Sequence, residues 1–242
     1  MRHEPAAPRG PAPLDVYASA LTAAGGRPDS SLHVLDERGT GHAVPLGRWL
    51  APPTLAEEDL LGALHGPVLD VGCGPGRHLL WLHSRGVTAL GVELSPAVAA
   101  LARRRGARVL EGSIFAHVPA SGRWAAALLL DGNVGIGGEP ERLLGRLGEL
   151  LRGDGEIVAE VDVDEPAGGA SRLRLAYGGL LSAPFPWARV GLAALRVHAG
   201  RAGFSIAETW GAEGRRFARL SRRARPRAAL DAAALVSRGA SP

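Results

Sequence analysis

From residue 67 onward the chain alternates short, almost wholly apolar segments with amphipathic ones, and this rhythm limits the fold more than any other feature. Residues 67–71, 88–92, 107–110, 124–130 and 155–161 read as strands, and 77–85, 96–105 and 139–152 as helices between them. Leu143, Leu144, Leu147, Leu150 and Leu151 recur at the spacing of one helical face. Pro96 suits a first helical turn, and Gly106 stands just past the end of its helix. Strands that are apolar on both sides must be covered on both sides, the situation of a mostly parallel sheet between two helix layers. The expected fold is therefore α/β and doubly wound. A helix at 189–202 and strands at 204–210 and 216–221 complete it. Ligands of such sheets sit beyond the carboxyl ends of the strands, where strand order reverses. The loops after residues 71, 92, 110, 130 and 161 are the places to look for chemistry.

The flanks read differently. Residues 1–13 are Pro-rich and are expected to be a disordered leader. Residues 14–27 read as a short helix stopped by Gly25 and Gly26. Two short apolar segments around the turn 36–41 predict a hairpin. Thr54 with Glu57 three residues on forms a capping box ahead of Leu60, Leu61 and Leu64. Residues 14–65 thus form a small helix and hairpin cap, expected on the substrate side of the main domain, 66–221. A Gly- and Pro-rich stretch at 164–187 interrupts the rhythm. Residues 222–242 form an Arg-rich tail, expected to be flexible.

Composition removes several classes. Cys73 is the single cysteine, so neither an intramolecular disulfide nor a cysteine-based metal centre is available. The absence of disulfides fits a reducing cytoplasm, the expected compartment. No apolar run approaches the roughly 20 residues of a membrane span, and residues 1–13 lack the apolar core of a secretory signal. The net charge of +4 conceals an asymmetry. Residues 215–242 hold eight Arg and one acid, Asp231, which leaves −3 for the rest. A mildly acidic body makes nucleic acid the less expected partner.

The loop between the first strand and the first helix carries most of the functional information. It reads Val68-Leu69-Asp70-Val71-Gly72-Cys73-Gly74-Pro75-Gly76-Arg77-His78. Glycines here allow a sharp turn and close approach of a ligand to the backbone. The third Gly is one residue early for a dinucleotide fingerprint, and the G-K-[ST] of a P-loop is missing. In a Gly-rich chain the glycines alone are compatible with a plain turn. Glu93 adds a second signal. It ends the second strand, 21 residues past Gly72, where an acid can accept two hydrogen bonds from a ribose diol.

With Glu93 in place, the segment 68–77 resembles motif I of the class I S-adenosylmethionine-dependent methyltransferases. Gly91-Val92-Glu93-Leu94-Ser95-Pro96 resembles their ribose-binding segment, and Glu111-Gly112-Ser113-Ile114-Phe115 stands where the family often has a Gly-Asp pair facing adenine. Residues 128–138 and 150–156 resemble the segment after strand four and the turn before strand five. The resemblance spans about residues 66–221. It implies a Rossmann-like seven-stranded sheet, mostly parallel with the last strand antiparallel, and S-adenosylmethionine as cofactor. Gly72, Gly74 and Gly76 would face the cofactor's amino-acid end, with Asp70 supporting the loop. Glu93 would hold both ribose hydroxyls and Leu94 would pack on adenine. Ser113 replaces the usual Asp, and Ile114 would offer a backbone N–H. Asp131 and Asn133 would border the methyl-transfer centre.

A sulfonium methyl is already activated, so alignment is the main task of the protein. A base is needed only where the acceptor must lose a proton. The candidates are Asp131 and, from the hairpin, His42. His78 opens the first helix and fits packing better than catalysis. Tyr17 and Arg48 of the cap are candidates to contact the cofactor carboxylate, and the sequence leaves open whether either does. The acids Asp131, Asp162 and Asp164 stand where some small methyltransferases bind Mg²⁺, yet acids at strand ends are common and no metal is expected. Tyr17, Trp49, Tyr177, Phe185 and Trp187 could wall an acceptor pocket or staple the cap to the core. The leading expectation is methyl transfer to a small-molecule O, N or C nucleophile by a monomer or homodimer. An RNA or protein methyltransferase using the basic tail, and a non-catalytic cofactor-binding module, are the alternatives.

Overall fold

The computed structural model of the protein describes residues 10–24, 31–44, 46–163 and 169–223. Most of the expected leader and of the Arg-rich tail, and Asp164, lie outside them. The cap opens with α1 (Pro13–Ala24), β1 (His33–Leu35), β2 (Gly41–Ala43), α2 (Leu46–Leu50) and α3 (Leu55–Gly62). Thr54 caps α3 as expected: its hydroxyl accepts from the Glu57 amide, and the Glu57 carboxylate accepts from the Thr54 amide.

The alternating region gives β3 (Val68–Val71), α4 (Arg77–Ser84), β4 (Ala89–Glu93), α5 (Pro96–Arg104), β5 (Val109–Glu111), β6 (Trp124–Leu129), α6 (Pro140–Leu150) and β7 (Leu151–Val161). Then follow β8 (Gly169–Tyr177), β9 (Leu180–Leu181), β10 (Phe185–Arg189), α7 (Leu192–Arg201), β11 (Phe204–Ala212) and β12 (Arg215–Arg222). The main sheet has seven strands in the order β11-β12-β7-β6-β3-β4-β5. β7, β6, β3, β4 and β5 pair in parallel. The last strand, β12, inserts antiparallel between β7 and β11. This is the doubly wound, mostly parallel sheet with an antiparallel last strand that the sequence implied.

Both faces of the sheet are covered, and β6 shows how. Ala127 and Leu129 belong to a core with Leu143, Leu147 and Leu195 of α6 and α7. Ala126 and Leu128 belong to the opposite core, with Leu61, Leu79 and Ala102 of α3, α4 and α5. Side chains of a strand alternate between faces, so a strand buried on both sides reads as an unbroken apolar run. Strand order reverses at β3, which lies between β4 and β6. The crevice at that reversal is where ligands of such sheets bind.

At the centre of β4, Gly91 permits close packing of the glycine loop. A Cβ there would lie 2.4 Å from Cys73 Sγ and 2.6 Å from Leu79 Cδ1. Gly91→Ala is therefore expected to cost about 1–3 kcal/mol by overpacking, read as a lowered midpoint in thermal or denaturant unfolding.

The stretch read as an interruption contains structure. β8 and β10 join the β1–β2 hairpin in a second, antiparallel sheet ordered β10-β8-β1-β2, with β9 on β8. Its inner side packs Leu175 with Val16, Leu21, Leu32 and Leu46, and against Val98 of α5. Leu173 and Leu175 are buried, as the strand period requires. The glycines and prolines flanking them hid that pattern. Among the described residues, no helix is long and apolar enough to cross a membrane.

Candidate functional site

The loop after β3 turns at Gly72, Gly74 and Gly76, all with positive φ, +70°, +52° and +83°. Gly72 donates its amide to the Val92 carbonyl at 2.8 Å, which ties the loop to β4. At Gly74 the φ alone selects glycine, and a Cβ would lie 3.1 Å from the Tyr17 hydroxyl. Gly76 caps α4 in the left-handed conformation. The Glu93 carboxylate reaches this loop from the end of β4. It accepts the Gly74 amide at 3.1 Å and the Ser95 amide at 2.7 Å. Burial pushes its pKa up, against the backbone amides that favour its charge, and the net shift is upward. Leu94 beside it is exposed and Ile114 is buried, while the Ser113 hydroxyl accepts the Phe115 amide.

A cleft of about 410 Å³, its open mouth included, lies over the glycine loop. The loop after β6 forms its opposite wall with Asp131 and Asn133. Asn133 donates its side-chain amide to the Val71 and Gly72 carbonyls at 2.9 and 3.0 Å, so the two loops are joined across the crevice. The cap supplies the roof with Tyr17 and Trp49, whose rings meet edge to face at 6.0 Å. Burial, and then the Glu93 charge, keep the Tyr17 phenol neutral by raising its pKa. Arg105 of α5 binds the cap to the loop, donating to the Leu50 and Pro75 carbonyls at 2.7 and 3.2 Å.

Beneath the cleft lies a closed ring of charged residues. Asp131 Oδ2 accepts from Arg77 at 2.9 Å, and Arg77 also holds both oxygens of Glu57. Glu57 accepts from Arg215 at 2.5 Å, and Arg215 grips both oxygens of Glu160 at 2.8 and 2.5 Å. The ring closes where Glu160 accepts the Asp131 backbone amide at 2.7 Å. From the cap, Arg48 adds a 2.7 Å ion pair to Asp131 Oδ1. Burial raises the Asp131 pKa, but the charges of Arg77, His78 and Arg48 outweigh it and hold the carboxyl below its ordinary value. His78 lies between Asp70 and Glu57, at 3.5 and 3.8 Å. Burial lowers its pKa, and the two acids more than reverse that.

Asp70, Gly72, Gly74, Asp131 and Asn133 thus share one cleft, with Gly76 at the loop's end and Glu93 bonded to the loop. His42 is exposed on β2 and is not among the lining residues. Asp162 pairs with Arg189. Among the described residues no three of His, Cys, Asp and Glu are grouped to hold a metal ion. Tyr17, Trp49, Tyr177 and Phe185 pack against the cap's own core.

Sequence reading missed the ring. Glu57 served only as a cap, Glu160 as an ordinary strand residue, and Arg215 as one of the basic arginines of 215–242. One signal was available at Arg77. A cation in the first turn of a helix opposes the helix dipole, so Arg77 required acidic partners from elsewhere in the chain.

Residues 68–155 match the family model described as a methyltransferase domain. Among solved structures, a Bacteroides fragilis S-adenosylmethionine-dependent methyltransferase in complex with S-adenosylhomocysteine superposes with a TM-score of 0.72 at 23% identity. The match covers 88% of this chain and 97% of that one. The CcbJ methyltransferase from Streptomyces caelestis superposes with a TM-score of 0.56 at 18% identity, over 73% and 92% of the two chains. A Burkholderia thailandensis 1,6-didemethyltoxoflavin-N1-methyltransferase gives 0.51 at 20% identity, over 69% and 75%. At these identities the structural likeness speaks for the fold.

Proposed function

We propose that this chain, whose residues 68–155 match a methyltransferase domain, moves the methyl group of S-adenosylmethionine to a small-molecule acceptor. The observation that carries the reading is the buried Glu93 carboxylate bonded to Gly74 at the crevice where strand order reverses. The residues present fit the cofactor. Positive-φ glycines leave a cradle that side chains would fill. The buried Trp49 indole N–H has no protein acceptor, and Leu94 offers an exposed apolar surface beside the ribose acid.

When bound, S-adenosylmethionine supplies a methyl on a sulfonium, which leaves as S-adenosylhomocysteine once an acceptor lone pair takes the methyl. The chain's part is to hold the partners in line, an arrangement worth several kcal/mol of barrier. In this reading Gly72, Gly74 and Gly76 receive the amino-acid end, and Glu93 the ribose hydroxyls. Leu94, Ser113 and Ile114 surround the adenine. Asp131 and Asn133 border the transfer centre. Asp131 is held ionised by arginines on both oxygens, so it orients and balances charge and does not take up a proton. His42 has no part.

Support for a small acceptor comes from the cap, whose Tyr17 on α1 and Trp49 on α2 line the cleft. The solved structures include proteins described as a toxoflavin-precursor and an amino pentose methyltransferase. The test is to incubate the protein with methyl-labelled S-adenosylmethionine and, in parallel, pools of small amines, phenols and heteroaromatics, bulk RNA, and protein extract. Label in a small-molecule fraction is expected. Label confined to RNA or protein would transfer the reading to a macromolecular acceptor.

A further inference from the structure

We infer that Glu160 and Arg215 are positioning residues for Asp131, and that through it they set how strongly the site prefers a cationic sulfonium over a neutral thioether; the inference rests on the cofactor reading above. Asp131 is one of three described non-glycine residues with positive φ, at +55°, and Gly132 follows it at +79°. Two successive left-handed residues turn the chain sharply out of β6. A side-chain-bearing residue persists there only where its surroundings dictate it.

The surroundings are identifiable. The Asp131 amide points at Glu160 Oε2, 2.7 Å away on the neighbouring strand β7. Glu160 in turn cannot rotate, because Arg215 of β12 holds both its oxygens. The Arg215 guanidinium is held over the Phe217 ring at 4.9 Å and by Glu57 behind it. Three strand ends therefore fix one peptide. The Asp131 side chain adds a 3.5 Å approach of Oδ1 to Arg215. Neither Glu160 nor Arg215 lines the cleft, so both act through Asp131.

The two cofactor forms differ by the methyl on sulfur and the positive charge that it brings, next to the transfer centre, and share every other group. A carboxylate held toward that centre strengthens binding of the sulfonium and leaves the thioether nearly unaffected. The ratio of the two affinities therefore reports where the Asp131 charge lies, and a general loss of packing does not move it.

The experiment is calorimetric binding of S-adenosylmethionine and S-adenosylhomocysteine to the full chain and to Glu160→Gln, Arg215→Met and Arg215→Lys. Each is made alone and together with Asp131→Asn. Gln at 160 keeps one oxygen: at the Oε2 position it still accepts the Asp131 amide and Arg215 Nη2, but its amino group then faces Arg215 Nε, so the two-oxygen grip that fixes the side chain is lost. Alone, Glu160→Gln and Arg215→Met are expected to lower the preference for the sulfonium about tenfold, with Arg215→Lys in between because ammonium cannot grip both oxygens. In the Asp131→Asn background, which itself lowers the preference, they are expected to change it no further. An unchanged preference in the single variants overturns the inference, as does an equal change in both backgrounds or no effect of Asp131→Asn. Should Arg215→Met not fold, Glu160→Gln decides alone. Failure of the unaltered protein to bind either ligand overturns the cofactor reading itself, a separate and recognisable result.

Discussion

Glu93→Ala is expected to weaken S-adenosylmethionine binding by about 10²–10⁴-fold, since each hydrogen bond to a charged acceptor is worth about 1.5–3 kcal/mol and a ribose offers two. The substitution also frees the Gly74 and Ser95 amides that Glu93 now holds, so the glycine cradle loses its anchor to β4. S-adenosylhomocysteine shares the ribose and should weaken in parallel. The pH dependence has a definite sign. Burial raises the Glu93 pKa in the folded chain, and the ionised form accepts both hydroxyls. Affinity should therefore fall on acidification, beginning above the usual carboxylate range, and Glu93→Gln should remove that dependence. Calorimetry across pH tests both statements. Affinity within twofold of the unaltered chain, or tighter binding of NAD, would show that the acid at the end of β4 does not hold this ribose.

The second large effect is on stability. Arg77→Met is expected to cost about 3–5 kcal/mol, the usual result of removing one partner of a buried ion pair. Glu57 has no exposed surface and would keep Arg215 as its only arginine partner, while Asp131 would lose its contact on Oδ2. For a chain of this size that lowers the unfolding midpoint by about 6–20 °C. Combining Arg77→Met with Glu57→Gln should recover much of the loss, because the charge left behind is then gone. A single-variant cost under about 1 kcal/mol would mean that the ring contributes little net stability. The ring also sets the acid response. Burial raises the Glu57 pKa, but hydrogen bonds from His78, Arg77 and Thr54 more than reverse this and depress it strongly. A depressed carboxyl stabilises the fold fully above its unfolded pKa of about 4.3. That contribution is lost as pH falls toward the folded value. Denaturant unfolding at pH 3 and pH 7 should differ by less in Glu57→Gln than in the unaltered chain.

The arginine-rich C-terminal region shows how charge counting misleads without coordinates. Four of its eight arginines lie within β12. Arg215 serves the ring, Arg219 pairs with Glu156 and Glu208, and Arg222 donates to the Gly148 and Leu151 carbonyls. Three of the eight arginines therefore have partners within the fold.

What could be read in the sequence was what local physics dictates. Apolar runs buried on both faces, helices of matching period, and glycines required by positive φ declare themselves along a few consecutive residues. They were enough to give the doubly wound sheet, while its antiparallel last strand was implied only by the family resemblance. The second sheet escaped because β8, which carries β10 on its other edge, finds its partner in β1, whose nearest paired residue is more than a hundred positions away. The ring escaped for the same reason. Glu57, Arg77, Asp131, Glu160 and Arg215 come from five separate elements, and no spacing rule relates them. Each carries a charge that local reading assigns to solvent. Only the closing of strands β6, β7 and β12 side by side brings these charges together out of water. There an unpaired charge is too costly to keep, so each is matched, and the matching decides where Asp131 can lie.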